Sequence, residues 1–159
     1  MKMIKKAIQL LIVIIVLFIA CDKEKDELAA KNLEITHGLV CGWCSGIDSV
    51  VINSTEYSYN YDYVCDDKKD ISVTKNTPEQ DWNKIVATYN KHDFAEINLN
   101  TCYTCADGCD YWIRVKDGDF QHNIRYGTQD SAKVAKIQDF IDVLSELRKA
   151  NDPRASGQI

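Results

Sequence analysis

The sequence predicts an α+β domain of two layers, an antiparallel sheet of two hairpins plus extra strand with two helices packed on one face, stapled by disulfides. Three observations carry that prediction. Two pairs of period-2 segments are each joined by a short turn. Two stretches with helical spacing interrupt and follow them without regular strand and helix alternation. Six cysteines, Cys41, Cys44, Cys65, Cys102, Cys105 and Cys109, flank the hairpins, and an even set reads as a disulfide framework in an oxidising compartment.

Leu33, Ile35 and His37 alternate with Glu34 and Thr36, which predicts a first strand ending at Gly38. Residues 48–53 and 56–64 alternate around Asn53-Ser54-Thr55-Glu56 and read as a hairpin. Its second strand places Tyr57, Tyr59, Tyr61 and Tyr63 on one face. Such a row suits a stacking platform for sugars or peptides, but amphipathic rings at strand spacing more often form the core side of a sheet, and that reading is preferred. A short strand follows at 70–74. Thr77-Pro78-Glu79-Gln80 then matches a helix start, with Thr77 as N-cap, Pro78 in the first helical position and Gln80 closing a capping box. Trp82, Ile85, Val86 and Tyr89 supply one apolar face for a helix ending near Lys91. The second hairpin runs from Tyr111 to Val115, turns at Asp117-Gly118 and returns through Phe120 to Ile124. From Asp130, the spacing of Val134, Ile137, Ile141, Leu144 and Leu147 predicts a long closing helix, with 151–159 as a flexible tail.

The first hairpin fixes a cysteine pair. With Ser54-Thr55 as a two-residue turn, position i faces position 109 minus i, so Ile52 faces Tyr57, Val50 faces Tyr59, and Cys44 faces Cys65 in a non-hydrogen-bonded pair with Cα atoms about 4.5 Å apart. Ser-Thr is not a favoured turn pair, and a bulge at Gly46 would shift the register by one. Cys41 is then left to bond one of Cys102, Cys105 and Cys109, the other two closing a local ring.

The chain opens with Lys2, Lys5 and Lys6, runs through aliphatic residues from Ala7 to Ala20, reaches Cys21 and turns at once into charge. A basic start and an apolar core too short to span a bilayer comfortably are the signature of a secretory signal. Phe18-Ile19-Ala20-Cys21 resembles the lipobox of bacterial lipoproteins, with Phe18 where leucine is usual. The resemblance implies that residues 1–20 are removed, that the Cys21 thiol is diacylated and that the new amino terminus is acylated. An uncleaved membrane anchor is the alternative, opposed by the short span and by Gln9. Residues 21–32 would form a lipidated, charged tether, whose opening resembles the acidic stretch that sends some Gram-negative lipoproteins to the surface. Residues 33–150 then form a single domain. The expected location is the bacterial cell envelope, on the periplasmic or surface face of the outer membrane.

Removing residues 1–20 leaves 16 basic against 24 acidic side chains, a formal charge of −8. A field of that sign repels phosphate backbones and anionic headgroups, so nucleic acid is a poor partner and membrane attachment falls to the acyl chains on Cys21. Cys41-Gly-Trp-Cys44 has the spacing of a thiol oxidoreductase motif, but β-branched residues follow where the activating helix should be. The same cysteines with Cys102, Cys105 and Cys109 would offer thiolates to zinc if they stayed reduced. Asp107, Asp110, Asp117 and Asp119 match no calcium loop pattern. His37, His92 and His122 lie apart with no paired nucleophile, and His37 and His122 read as solvated or hydrogen-bonded strand histidines. Asn53-Ser54-Thr55 is a formal N-glycosylation triplet, and 48–50 and 130–132 resemble a bacterial O-glycosylation motif. The segments from Gly38 to Ser49 and from Cys105 to Ile113 resemble those of a group of small envelope proteins without assigned activity, which implies a shared fold and no function. The expectation is therefore a lipid-anchored domain with a non-enzymatic binding or structural role, no cofactor, and a protein or peptide partner. A thiol oxidoreductase using Cys41 and Cys44 and a zinc-binding domain are the alternatives.

Overall fold

The first hairpin closes in the register that its turn dictates. In the computed structural model, which describes residues 32–65 and 67–155, β2 (Ile47–Ile52) pairs with β3 (Glu56–Asp62), Ile52 opposite Tyr57 and Val50 opposite Tyr59. The disfavoured Ser54-Thr55 turn is held by Asn53, whose Oδ1 accepts from the backbone N–H of Thr55 at 2.9 Å and of Glu56 at 2.8 Å. Gly46 has φ +78° but inserts no bulge into the paired residues. It lies just outside the ladder, where a Cβ would meet the Tyr61 hydroxyl at 2.3 Å.

Beside this hairpin, β1 (Leu33–Cys41) pairs with β2 and with β5 (Cys109–Asp117), while β4 (Ile71–Asn76) extends one edge and β6 (Phe120–Tyr126) the other. The result is a six-stranded antiparallel sheet in the order β4-β3-β2-β1-β5-β6. The first strand does not stop at Gly38. It continues to Cys41 because the ladder goes on along both flanks, and Gly38 is where the Trp112 ring and the Asp48 carbonyl come too close for any side chain. In the second hairpin Asp117 pairs with Phe120, so the turn residues are Gly118-Asp119, one position later than expected, with Gly118 at φ +59°.

Among the described residues three helices, not two, accompany the sheet. The first, α1 (Glu79–Thr88), starts without the expected capping box: Pro78 is the N-cap, and the Thr77 hydroxyl has no partner while its N–H is drawn to Thr55 O at 3.1 Å. It stops at Thr88 because Tyr89 turns extended, and Asn90 then caps a second helix, α2 (Lys91–Glu96), accepting from the N–H groups of His92 and Asp93. The closing helix, α3 (Gln138–Ala150), begins eight residues later than expected. Between them, Asp130 accepts from Gly127 N and pairs with Lys133, holding a short 3₁₀ turn instead.

The core lies between the helices and the sheet face that carries Leu33, Ile35, Val50, Ile52, Ile113, Val115 and Ile124. Tyr57, Tyr59 and Tyr61 are buried in it, as the core reading of the tyrosine row requires, and Tyr63 packs at its margin with its ring 4.8 Å from that of Tyr61. Trp82, Ile85, Phe94, Phe140, Leu144 and Leu147 close it from the helix side. Residues 151–155 are docked, not frayed: Arg154 stacks over the Tyr61 ring at 3.7 Å and forks onto Asp152.

Candidate functional site

Along the helix-facing side of the sheet, the inward positions form cross-strand rows whose character changes from one end to the other. Tyr57, Ile52, Ile35, Val115 and His122 make one row, and Tyr59, Val50, His37, Ile113 and Ile124 make the next, each with one histidine in it. The following row is polar and aromatic: Tyr61, Asp48, Leu39, Tyr111 and Tyr126. Above the last two rows α3 presents Ile141, Leu144, Ser145 and Arg148, spaced as one helical face, and between the layers a cleft of about 270 Å³ opens toward the turn after β6.

His37 and Arg148 are the buried polar side chains that line it, and Asp48 holds the arginine. Asp48 is satisfied: Oδ1 accepts from Leu39 N at 2.7 Å, Oδ2 accepts from Arg148 Nη1, and the Arg154 guanidinium stands 3.8 Å away. His37 is not. It is 5% exposed, no hydrogen bond holds it among the described residues, and its Nε2 is completely covered without a partner. Burial, reinforced by the charge of Arg148, pushes the imidazole down from its usual 6.5 to about 3, so it is neutral at every physiological pH. The solvated or hydrogen-bonded histidine expected at this position is therefore corrected, because its alternation with Leu33 and Ile35 turns it inward where no acceptor reaches it. His122 does meet that expectation, its Nε2 lying 2.7 Å from Ile97 O.

The cleft wall is aromatic. Tyr111 and Tyr126 stack at 5.6 Å with their planes 23° apart, and burial raises the Tyr126 hydroxyl well above its ordinary value, keeping it protonated. Thr128, Ser131, Gln138 and Asp142 stand around the opening. The exposed Asp142 accepts from Gln138 at 2.8 Å.

On the opposite face of the sheet, Asp110 is fully buried and organises the loop between Leu99 and Cys109. It accepts from the N–H groups of Tyr103 and Thr104, from the Thr104 hydroxyl, and from Arg125 at 2.7 Å. Burial alone would push its carboxyl up, but these donors outweigh that and hold it at about 2.

The six cysteines gather at the end of the sheet where β1 finishes and β5 begins. Cys44 bonds Cys65, with Cα atoms 5.1 Å apart against the 4.5 Å of an ideal pair, because the ladder ends at Ile47 and Asp62 and the chain opens beyond it. Cys41 bonds Cys109 directly across from it, and Cys102 and Cys105 close the local ring. Cys41 and Cys44, the pair of the oxidoreductase alternative, thus sit in different bonds. Between them Trp43 is 81% exposed at φ +55°. Among the described residues no group of three or more His, Cys, Asp or Glu side chains is placed to hold a metal ion, and no helix is long and apolar enough to cross a membrane. Cys21 and the signal assigned to residues 1–20 lie outside the described residues.

No protein-family model matches the chain, and no curated protein matches it in sequence. The fold and cleft therefore define its class by themselves: a disulfide-stapled, two-layer α+β domain with a concave site between sheet and closing helix. Of the residues that build the site, sequence reasoning singled out His37 but missed Arg148, Tyr111 and Tyr126, and with them Asp48, which holds Arg148. Alternation puts Asp48 on the same face as Val50 and Ile52, and that inward acid was the available signal for a buried cationic partner.

Proposed function

We propose that this chain is a lipid-anchored binding domain of the bacterial envelope, with a non-enzymatic role, and that its ligand sits in the cleft between α3 and the sheet. The observation that carries this reading is the cleft itself, about 270 Å³ between α3 and the sheet, where the Tyr111 and Tyr126 rings meet the polar side chains of Thr128, Gln138, Ser145 and Arg148. The surrounding scaffold suits the task, since two disulfides, Cys41–Cys109 and Cys44–Cys65, tie neighbouring strands together at one end of the sheet. Attachment rests on the lipobox resemblance at Cys21 and predicts labelled palmitate in the wild-type chain and none in Cys21→Ser. The binding reading is tested by recording ¹H–¹⁵N spectra of the Cys21→Ser protein against a set of small-ring fragments that are neutral, acidic and basic. Saturable shifts at cleft amides are expected from at least one class. Shifts that gather elsewhere, or none at all, would refute the cleft as the seat.

A further inference from the structure

We infer that the Cys102–Cys105 disulfide is a stoichiometric thiol-exchange site, opened by a partner protein that carries two thiols and docks on Trp43. Of the three disulfides among the described residues it contributes least as a staple. Cys41–Cys109 and Cys44–Cys65 close 68 and 21 residues and tie neighbouring strands, whereas Cys102–Cys105 closes three and ties a turn to itself. So short a ring removes little freedom from the unfolded chain.

The turn has other supports. Asp110 accepts from the N–H groups of Tyr103 and Thr104 and from the Thr104 hydroxyl, the Cys105 N–H donates to Cys102 O at 3.2 Å, and the Gly108 N–H donates to Tyr103 O at 2.8 Å. These bonds hold the loop when the disulfide opens, which a pair that passes from disulfide to dithiol requires. Both cysteines are exposed, and the bond is open to a thiolate from another molecule.

The surroundings favour one direction of attack. Cys102 Sγ lies 3.5 Å from the Thr104 hydroxyl, which accepts from Arg125 Nη2 at 2.6 Å. A thiolate left on Cys102 takes a hydrogen bond from that hydroxyl, polarised by the guanidinium, and Asp110 keeps Arg125 and two backbone donors. The partner's first thiolate therefore attacks Cys105 Sγ: a mixed disulfide forms, the Cys102–Cys105 bond breaks, and its electron pair leaves on Cys102. The partner's second thiolate then attacks the partner sulfur of the mixed disulfide and expels Cys105. Two electrons pass to this chain, the partner ends as a disulfide, and the two protons shed by its thiols end on Cys102 and Cys105.

Trp43 marks the docking surface. Gly42 packs on the same loop, its N–H donating to Gly108 O at 2.9 Å, and a Cβ placed on it would stand 3.5 Å from Thr104 O. The next residue, Trp43, is exposed at φ +55°, a left-handed conformation that a bulky side chain adopts only under constraint. The disulfides of Cys41 and Cys44 supply that constraint on either side. An indole held out beside a reactive bond suits an apolar residue flanking the partner's thiols. None of these residues lines the cleft.

The test treats the oxidised Cys21→Ser protein with dithiothreitol, and separately with a reduced hexapeptide in which leucines flank two cysteines spaced as Cys102 and Cys105 are, then alkylates and maps the free thiols over time. Cys102 and Cys105 are expected to open at least tenfold faster than either other pair, with the peptide recovered as its disulfide and ¹H–¹⁵N changes confined to the loop and its contacts. Trp43→Ser should slow the peptide at least fivefold and leave dithiothreitol unaffected. Thr104→Val should slow both reagents, and Thr104→Ser should restore them. If Cys41–Cys109 or Cys44–Cys65 opens first, if all three open together, or if opening Cys102–Cys105 collapses the spectrum, the exchange site is refuted. An unchanged peptide rate in Trp43→Ser would overturn the docking surface, and unchanged rates in Thr104→Val the direction of attack.

Discussion

Replacing His37 by Phe should make the protein more stable, and more so the more acidic the solution. At pH 8 the substitution removes a buried ring nitrogen that has no partner, a group whose burial costs about 1–3 kcal/mol, and replaces it with a ring of similar shape that can expand into the adjoining cleft. Acid adds a second term. The imidazole titrates near 6.5 in the unfolded chain and at about 3 in the fold, so below 6.5 the unfolded state binds the extra proton and acid favours unfolding. This further penalty is absent above pH 6.5 and grows as the pH falls toward 3, reaching about 2 kcal/mol by pH 5. Asp110, Asp130 and Asp152, held below their usual values, keep their contribution until the pH nears 4, so pH 8 to 5 is a clean window. Urea unfolding followed by tryptophan fluorescence at pH 8, 6.5 and 5 measures it. The wild-type chain should lose about 2 kcal/mol more than His37→Phe across that range. Parallel pH profiles, or a variant less stable than wild type by 1 kcal/mol at pH 8, would refute the account of His37 as a buried, neutral, unpartnered group.

Leu144, almost wholly covered in the core, should cost about 2–5 kcal/mol when changed to Ala, and a loss under about 0.5 kcal/mol in the same unfolding experiment would show that α3 is a surface appendage. Removing both Cys44 and Cys65 as serines opens a loop across 21 residues and should lower stability by about 3 kcal/mol, while non-reducing peptide mapping of the wild type should recover Cys44 with Cys65 and Cys41 with Cys109. Asp110→Ala strands Arg125 and two backbone N–H groups, an expected loss of about 3–5 kcal/mol near pH 7. Because the Asp110 carboxyl titrates at about 2 in the fold, its contribution is present above about 3.8 and fades as the pH falls through 2, so wild type and Asp110→Ala should converge in strong acid.

Strands and register were legible in the sequence because they depend on short-range alternation and one turn. The match of Ile52 to Tyr57 needed only two residues at 54 and 55, and from it the Cys44–Cys65 bond followed. Helix ends were less legible because they are decided by competition between caps. Asn90 at the head of α2 outbid the continuation of α1, and Asp130 was drawn into a 3₁₀ turn by Gly127 and Lys133 rather than opening a long helix. The site was hardest to read, since Asp48 and Arg148 are a hundred residues apart and no local spacing announces their contact. What strand alternation does announce is that each inward polar residue needs an answer. Asp48 received one from α3 and His37 did not.

The first strand has a mechanical consequence. The chain enters the fold at Leu33, and β1 runs through the middle of the sheet with β2 on one flank and β5 on the other. A load arriving from the amino-terminal side therefore acts along the axis of β1 and shears two hydrogen-bonded ladders at once, instead of peeling an edge strand one bond at a time. At the far end Cys41 is covalently joined to Cys109 on the neighbouring strand, so β1 cannot be drawn out of the sheet while that bond stands. Pulled from residue 33, the oxidised domain should hold as a unit, and after reduction it should yield at a lower force with β1 leaving first.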